Sequence, residues 1–92
     1  MNVKEAVNLA KQHLLDLYAD EKLTNLGLEE VEFKESANEW IVTLGFSRPW
    51  DEPRNSLAAF AQAAHIRRTY KTMRVSNDSE QVLSMKTREV AQ

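Results

Sequence analysis

Near Gly27 the spacing of apolar side chains changes from three-and-four to two, which confines the chain to a helix followed by strands. Before the change, Val3, Ala6, Val7, Ala10, Leu14, Leu17 and Tyr18 recur at helical period and form one apolar stripe. Asn2 is placed to cap this helix, and Glu5 three residues later can reach back to it. The helix is expected over Val3 to Lys22, with Asp20, Glu21 and Lys22 at its fraying end and Gly27 permitting the redirection that follows.

From Leu28 onward, "LEEVEFKES" alternates: Val31 and Phe33 fall on one face, Glu30, Glu32 and Lys34 on the other. After a "SAN" turn, "EWIVTLGFS" sends Trp40, Val42, Leu44 and Phe46 to one side and Ile41, Thr43 and Gly45 to the other. The two segments read as a hairpin with a strong apolar face, and Trp40 as core or core edge. A second hairpin is expected from "HIRRTYKTMRV" and "EQVLSMKTREV" around an "SND" turn. There Met73 and Val75 alternate with Leu83 and Met85 as partners. Ile66 and Tyr70 have the opposite parity, so either a bulge intervenes or Tyr70 faces outward beside Arg68, Thr72 and Arg74. The outward placement is favoured, and it lets Tyr70 stack with a neighbouring guanidinium.

Between the hairpins runs "RPWDEPRNSLAAFAQAA", whose two prolines exclude a central strand. Its second half, residues 55–65, is alanine-rich, with Asn55 or Ser56 as a cap and Leu57, Phe60, Ala61 and Ala64 on one helical face. A helix this short needs packing to hold it. The 92 residues suffice for one domain and not two. The expected architecture is α+β: an N-terminal helix on the apolar face of a four-stranded antiparallel sheet, in the order α-β-β-β-β, with a helical crossover between the hairpins. The other face of such a sheet is left to solvent, a second copy or another protein.

The charge is uneven. Residues 1–47 hold nine carboxylates and four lysines, whereas residues 48–92 hold eight cations and five carboxylates. The asymmetry reads either as a face for nucleic acid or an acidic partner, or as two halves attracting each other on one sheet, and the second reading is favoured. A basic sheet bearing Tyr70 can bind single-stranded nucleic acid. One tyrosine, no RNP-type aromatics and an overall net charge of −2 argue against it.

Little else points to chemistry. There is no cysteine, and Gly27 and Gly45 stand alone, so phosphate-cradling loops and thiolate sites are excluded. His13 and His65 lack a nearby ligand partner, the serines lie in no nucleophile elbow, and Asp51 and Glu52 read as a solvated pair. No metal or cofactor is expected. The N-terminal stretch is interrupted by Lys4, Glu5, Lys11 and Asp16 and so lacks the apolar run of a signal or spanning segment. The expected location is the cytoplasm.

In order of elements the chain resembles the cystatin-like topology, and "RTYKTMRVSNDSEQVLSMKTREV" is similar to the final hairpin of small PepSY-like bacterial domains. The PepSY-like resemblance implies binding or restraint of a peptidase. Cystatin inhibitors insert a Q-x-V-x-G loop and a Pro-Trp loop into a protease cleft. Pro49-Trp50 matches the dipeptide, but only Gln81 of "QVLSM" matches the other motif. Pro49 and Trp50 also fall at the end of the sheet opposite the two turns, so the pair cannot form that wedge.

The expectation is therefore a non-catalytic protein-interaction module, with another protein or a second copy as partner. The alternative is a PepSY-like regulator or inhibitor of a peptidase. Candidate contact residues are Arg48, Pro49, Trp50 and Arg54 on the crossover and Arg68, Tyr70 and Arg74 on the uncovered sheet face. Trp50 either closes an open end of the core or anchors a partner, and Pro49 and Pro53 stiffen its segment in both cases.

Overall fold

A computed structural model describes residues 1–49 and 68–88. The elements are α1 (Val3–Leu17), β1 (Thr24–Lys34), β2 (Glu39–Ser47), β3 (Thr69–Ser76) and β4 (Val82–Thr87). The four strands form one antiparallel sheet in the order β1-β2-β3-β4, with α1 packed on one face. The helix expected over residues 55–65 lies outside the described residues, as do Trp50, Arg54 and His65.

α1 starts as its sequence requires. The Asn2 side chain accepts from the Glu5 amide at 2.8 Å, and Glu5 Oε1 accepts from the Asn2 amide at 2.9 Å, completing the capping box. It ends at Leu17, five residues before the expected end at Lys22. The last turn contains no basic residue, and Asp16, Asp20 and Glu21 crowd negative charge at the negative pole of the helix. Tyr18 caps the helix by donating to the Leu14 carbonyl, and its ring leans on Phe46 at 5.8 Å between centroids.

Ala6, Val7, Ala10 and Leu14 are buried against Val42, Leu44, Phe46, Met73 and Val75. Val3 and Leu17, at the ends of the expected stripe, are exposed. The redirection expected at Gly27 comes earlier: the chain turns just after α1, where the Glu21 amide donates to the Tyr18 carbonyl, and β1 has already begun at Thr24. Gly27, whose φ is not positive, therefore lies within the strand, and Asn25, with a positive φ of 55°, sits at the first register shift of β1. An Asn side chain tolerates the left-handed region, and here its amide also donates to the Ser47 hydroxyl at 3.2 Å.

Both hairpins form, and both turns lie at one end of the sheet. Asn77 joins them: its amide N–H donates to the Asn38 carbonyl, and its side-chain oxygen accepts from Trp40 Nε1 at 3.1 Å. Trp40 is half-buried against the core and Phe33, as a core-edge residue should be. The second hairpin differs from expectation at one place. Met73 pairs with Met85, but Val75 pairs with Val82, leaving Leu83 as an extra residue that is 48% exposed. The bulge thus falls in β4, and Leu83 turns outward because it has no partner across the ladder.

Candidate interaction face

β3 presents Tyr70, Thr72 and Arg74 on the face away from α1, opposite Gly45, Thr43 and Ile41 of β2. Alternation along the strand dictates this, since Met73 and Val75 are buried on the helix side. The outward placement of Tyr70 expected from its parity is observed.

The arginines of this face are each paired, while Lys86, opposite Thr72, is exposed and makes no ion pair among the described residues. Arg74 grips Glu39 with two hydrogen bonds of 2.8 and 2.6 Å. Arg88 donates to Glu30 and lies 3.4 Å from the Thr43 hydroxyl, which itself meets the Thr72 hydroxyl at 3.0 Å. Arg68 pairs with Glu29 at 3.2 Å and donates to the Asn25 carbonyl at 2.7 Å, with its guanidinium 6.0 Å from the Tyr70 ring centre. Each guanidinium is thus matched by a carboxylate. The hydrogen bonds from Arg74 hold the Glu39 carboxyl below its ordinary range, and those to Glu39 and Glu30 raise the Arg74 and Arg88 guanidiniums above theirs.

A glycine permits one part of this arrangement. A β-carbon on Gly45 would lie 2.8 Å from both Arg68 Nη2 and Glu29 Oε1 and 3.0 Å from the Tyr70 ring. Without one, the tyrosine opposite Gly45 and the Arg68–Glu29 pair lie flat on the sheet.

The crossover residues divide. Arg48 is folded back onto the domain: it grips Glu21 at 2.9 and 2.6 Å and sits 4.7 Å over the Tyr18 ring. It ties the end of β2 to the segment after α1, and its hydrogen bonds hold the Glu21 carboxyl below the ordinary range. Pro49 is exposed. The structure therefore brings Arg68, Tyr70 and Arg74 together on one face and places Arg48 away from them, against α1's C-terminal end.

Glu21, Glu29 and Glu39 were not singled out from the sequence. Their signal was the charge asymmetry, because all four ion pairs among the described residues join a glutamate of residues 1–47 to an arginine of residues 48–92. This is the attraction between halves that the composition favoured. Among the described residues no group of three or more His, Asp or Glu is placed to hold a metal ion, and no helix is long and apolar enough to cross a membrane. His13 is half-buried beside Leu9, Gln12 and Asp16. Comparison with protein-family models, curated proteins and solved structures finds no match to this chain.

Proposed function

We propose that the chain is a non-catalytic protein-interaction module that engages another protein through the sheet face away from α1. The supporting observation is the juxtaposition of Tyr70 with three arginines whose charge is already matched, on a face that α1 does not cover. Such a surface offers an aromatic ring, fixed hydrogen-bonding groups and little net charge to desolvate, which suits a protein partner. A nucleic acid would call for several unpaired cations, whereas the three arginines here are paired and Lys86 is the exposed cation left over among the described residues. The Glu21 and Glu39 carboxyls are held below their ordinary range by hydrogen bonds from Arg48 and Arg74, the opposite of what a general acid needs.

The test is a pull-down from source-cell lysate with wild type, Tyr70→Ala and, as a control on the far side of the domain, Lys4→Ala, followed by binding measurements on any purified partner. Capture by wild type and Lys4→Ala but not by Tyr70→Ala supports the reading. Loss of the partner in Lys4→Ala with retention in Tyr70→Ala moves the contact to the other side and overturns it. A captured peptidase that loses activity stoichiometrically would favour the regulator alternative. Binding through this face should also change little with salt, whereas counterion release would make nucleic-acid binding fall steeply.

A further inference from the structure

α1 does not close against the start of β4. Two contiguous troughs of about 520 and 350 Å³ run along its flank and share Leu9 and Gln12. Met1, Leu9 and Val82 give them an apolar floor that adjoins the core. Among the described residues their charged lining consists of Glu5, Asp16 and Glu80, set against the Met1 ammonium, with His13 beside them and no lysine or arginine.

Beside the troughs lies an open strand edge. Among the described residues β4 pairs only with β3. The Arg88 amide donates to the Tyr70 carbonyl, so by alternation the amides of Lys86 and Ser84 face β3 while those of Met85 and Thr87 face the open side. β1 is the other edge among the described residues, and it is the better defended against added strands: two register shifts break its ladder and Glu29, Glu30, Glu32 and Lys34 crowd it with charge, against one bulge and Lys86 in β4.

We infer that β4 and the trough beside α1 form a peptide-binding groove, in which an extended segment whose every second residue is in turn apolar and basic adds to the sheet as a fifth strand. A strand laid along the β4 edge sends every second side chain toward the helix side. Apolar side chains there meet Leu9 and Val82, while lysine or arginine side chains reach Asp16 and Glu80 at the rim. Main-chain hydrogen bonds to Met85 and Thr87 supply attachment, and the acidic lining supplies selectivity for cations. The combined trough has the capacity of an ordinary ligand site, which spans roughly 300 to 1,000 Å³. A second copy of this chain is a poorer occupant through β1, the longest strand, because its flank carries Glu29, Glu30 and Glu32 and would face like charge.

This inference concerns the opposite side of the domain from Tyr70, so the two proposals can fail separately. The probe is a capped peptide whose alternate positions carry leucine and lysine separated by threonine, titrated into the isotopically labelled protein. Its counterpart has glutamate in place of lysine. The lysine peptide should shift the signals of Leu9, Gln12, His13 and Val82 and slow hydrogen exchange at Met85 and Thr87. Asp16→Lys combined with Glu80→Lys should weaken it by roughly fivefold, as expected for losing two exposed charge pairs. Both side chains are exposed, and a lysine at position 16 suits the helix C-terminus, so the variant should fold. Tyr70→Ala should bind the peptide unchanged. Equal binding of the glutamate peptide, unaltered exchange at Met85 and Thr87, or no shift at about 1 mM peptide would overturn the proposal.

Discussion

The two faces of the sheet are built from the same strands by different physics. On the helix side, Val42, Leu44, Phe46, Met73 and Val75 are fully buried, and cohesion comes from removing apolar surface from water. On the other side, Thr43 and Ser47 of β2 are also buried, yet no helix among the described residues covers them. Their neighbours include long charged side chains: Arg88 reaches from the β4 end to Glu30 on β1, passing the Thr43 hydroxyl. The arginines that lie along that face are held there by carboxylates of β1 and β2. The helix face should therefore supply most of the stability, and the outer face a smaller share that depends on its ion pairs.

That contrast breaks most visibly at Phe46. It is fully buried between Tyr18 and the sheet, and Phe46→Ala should cost about 3 to 5 kcal/mol, measured by denaturant unfolding. A loss below about 1 kcal/mol would mean that the helix face is not the main source of stability. Trp40→Phe sits between the two regimes. It keeps most of the apolar contact with Phe33 but removes the hydrogen bond to Asn77 that ties the two turns together, which should cost about 0.5 to 1.5 kcal/mol. Amide signals of the turn at Asn38 should move with those at Asn77.

How much of this was legible follows the same division. The helix face was readable because apolar periodicity is local: alternation along β2 and β3 placed Trp40, Val42, Leu44, Phe46, Met73 and Val75 correctly. The two turns and the capping box were readable for the same reason. The left-handed Asn25 and the extra Leu83 were not, because each belongs to a strand register set with residues far along the chain; the early end of α1 was missed although its cause, the acidic run at Asp16, Asp20 and Glu21, is local. On the outer face, parity gave Tyr70 its side, but the partners of Arg68, Arg74 and Arg88 lie 39, 35 and 58 residues away. Charge balance alone showed that the halves attract, and could not say which glutamate meets which arginine.

The outer pairs can be separated from the core by pH. Because Arg74 lowers the folded-state pKa of Glu39, this carboxylate adds stability above its ordinary value of 4.5, and the contribution is lost as pH falls through the lower folded value. Glu21 behaves alike through Arg48. Glu39→Gln should therefore be less stable than wild type at neutral pH and approach it in acid, read as the gap between unfolding midpoints on the way down to about pH 2. A gap that stays constant across that range would show that the Glu39–Arg74 pairing does not contribute through its charge. Raising salt should narrow the neutral-pH gap, since Arg74 is about half exposed.

Gly45→Ala should produce the smallest change in stability and the most specific change in surface. Replacing glycine in a strand favours the folded state by about 0.5 to 1 kcal/mol through lost backbone freedom in the unfolded chain. Against this, the new methyl group displaces Arg68 Nη2 and Glu29 Oε1, which are the tips of flexible side chains, and presses on the Tyr70 ring. The two effects oppose each other, so the unfolding midpoint should move little. The Arg68–Glu29 pair and the ring should nevertheless lift from the sheet, seen as shifts at Tyr70 with none at Met73 or Val75. If the outer face carries the interaction, a partner should bind this folded variant more weakly. If it binds unchanged while the Tyr70 ring has moved, the contact is elsewhere and the outer face serves only to shield β2.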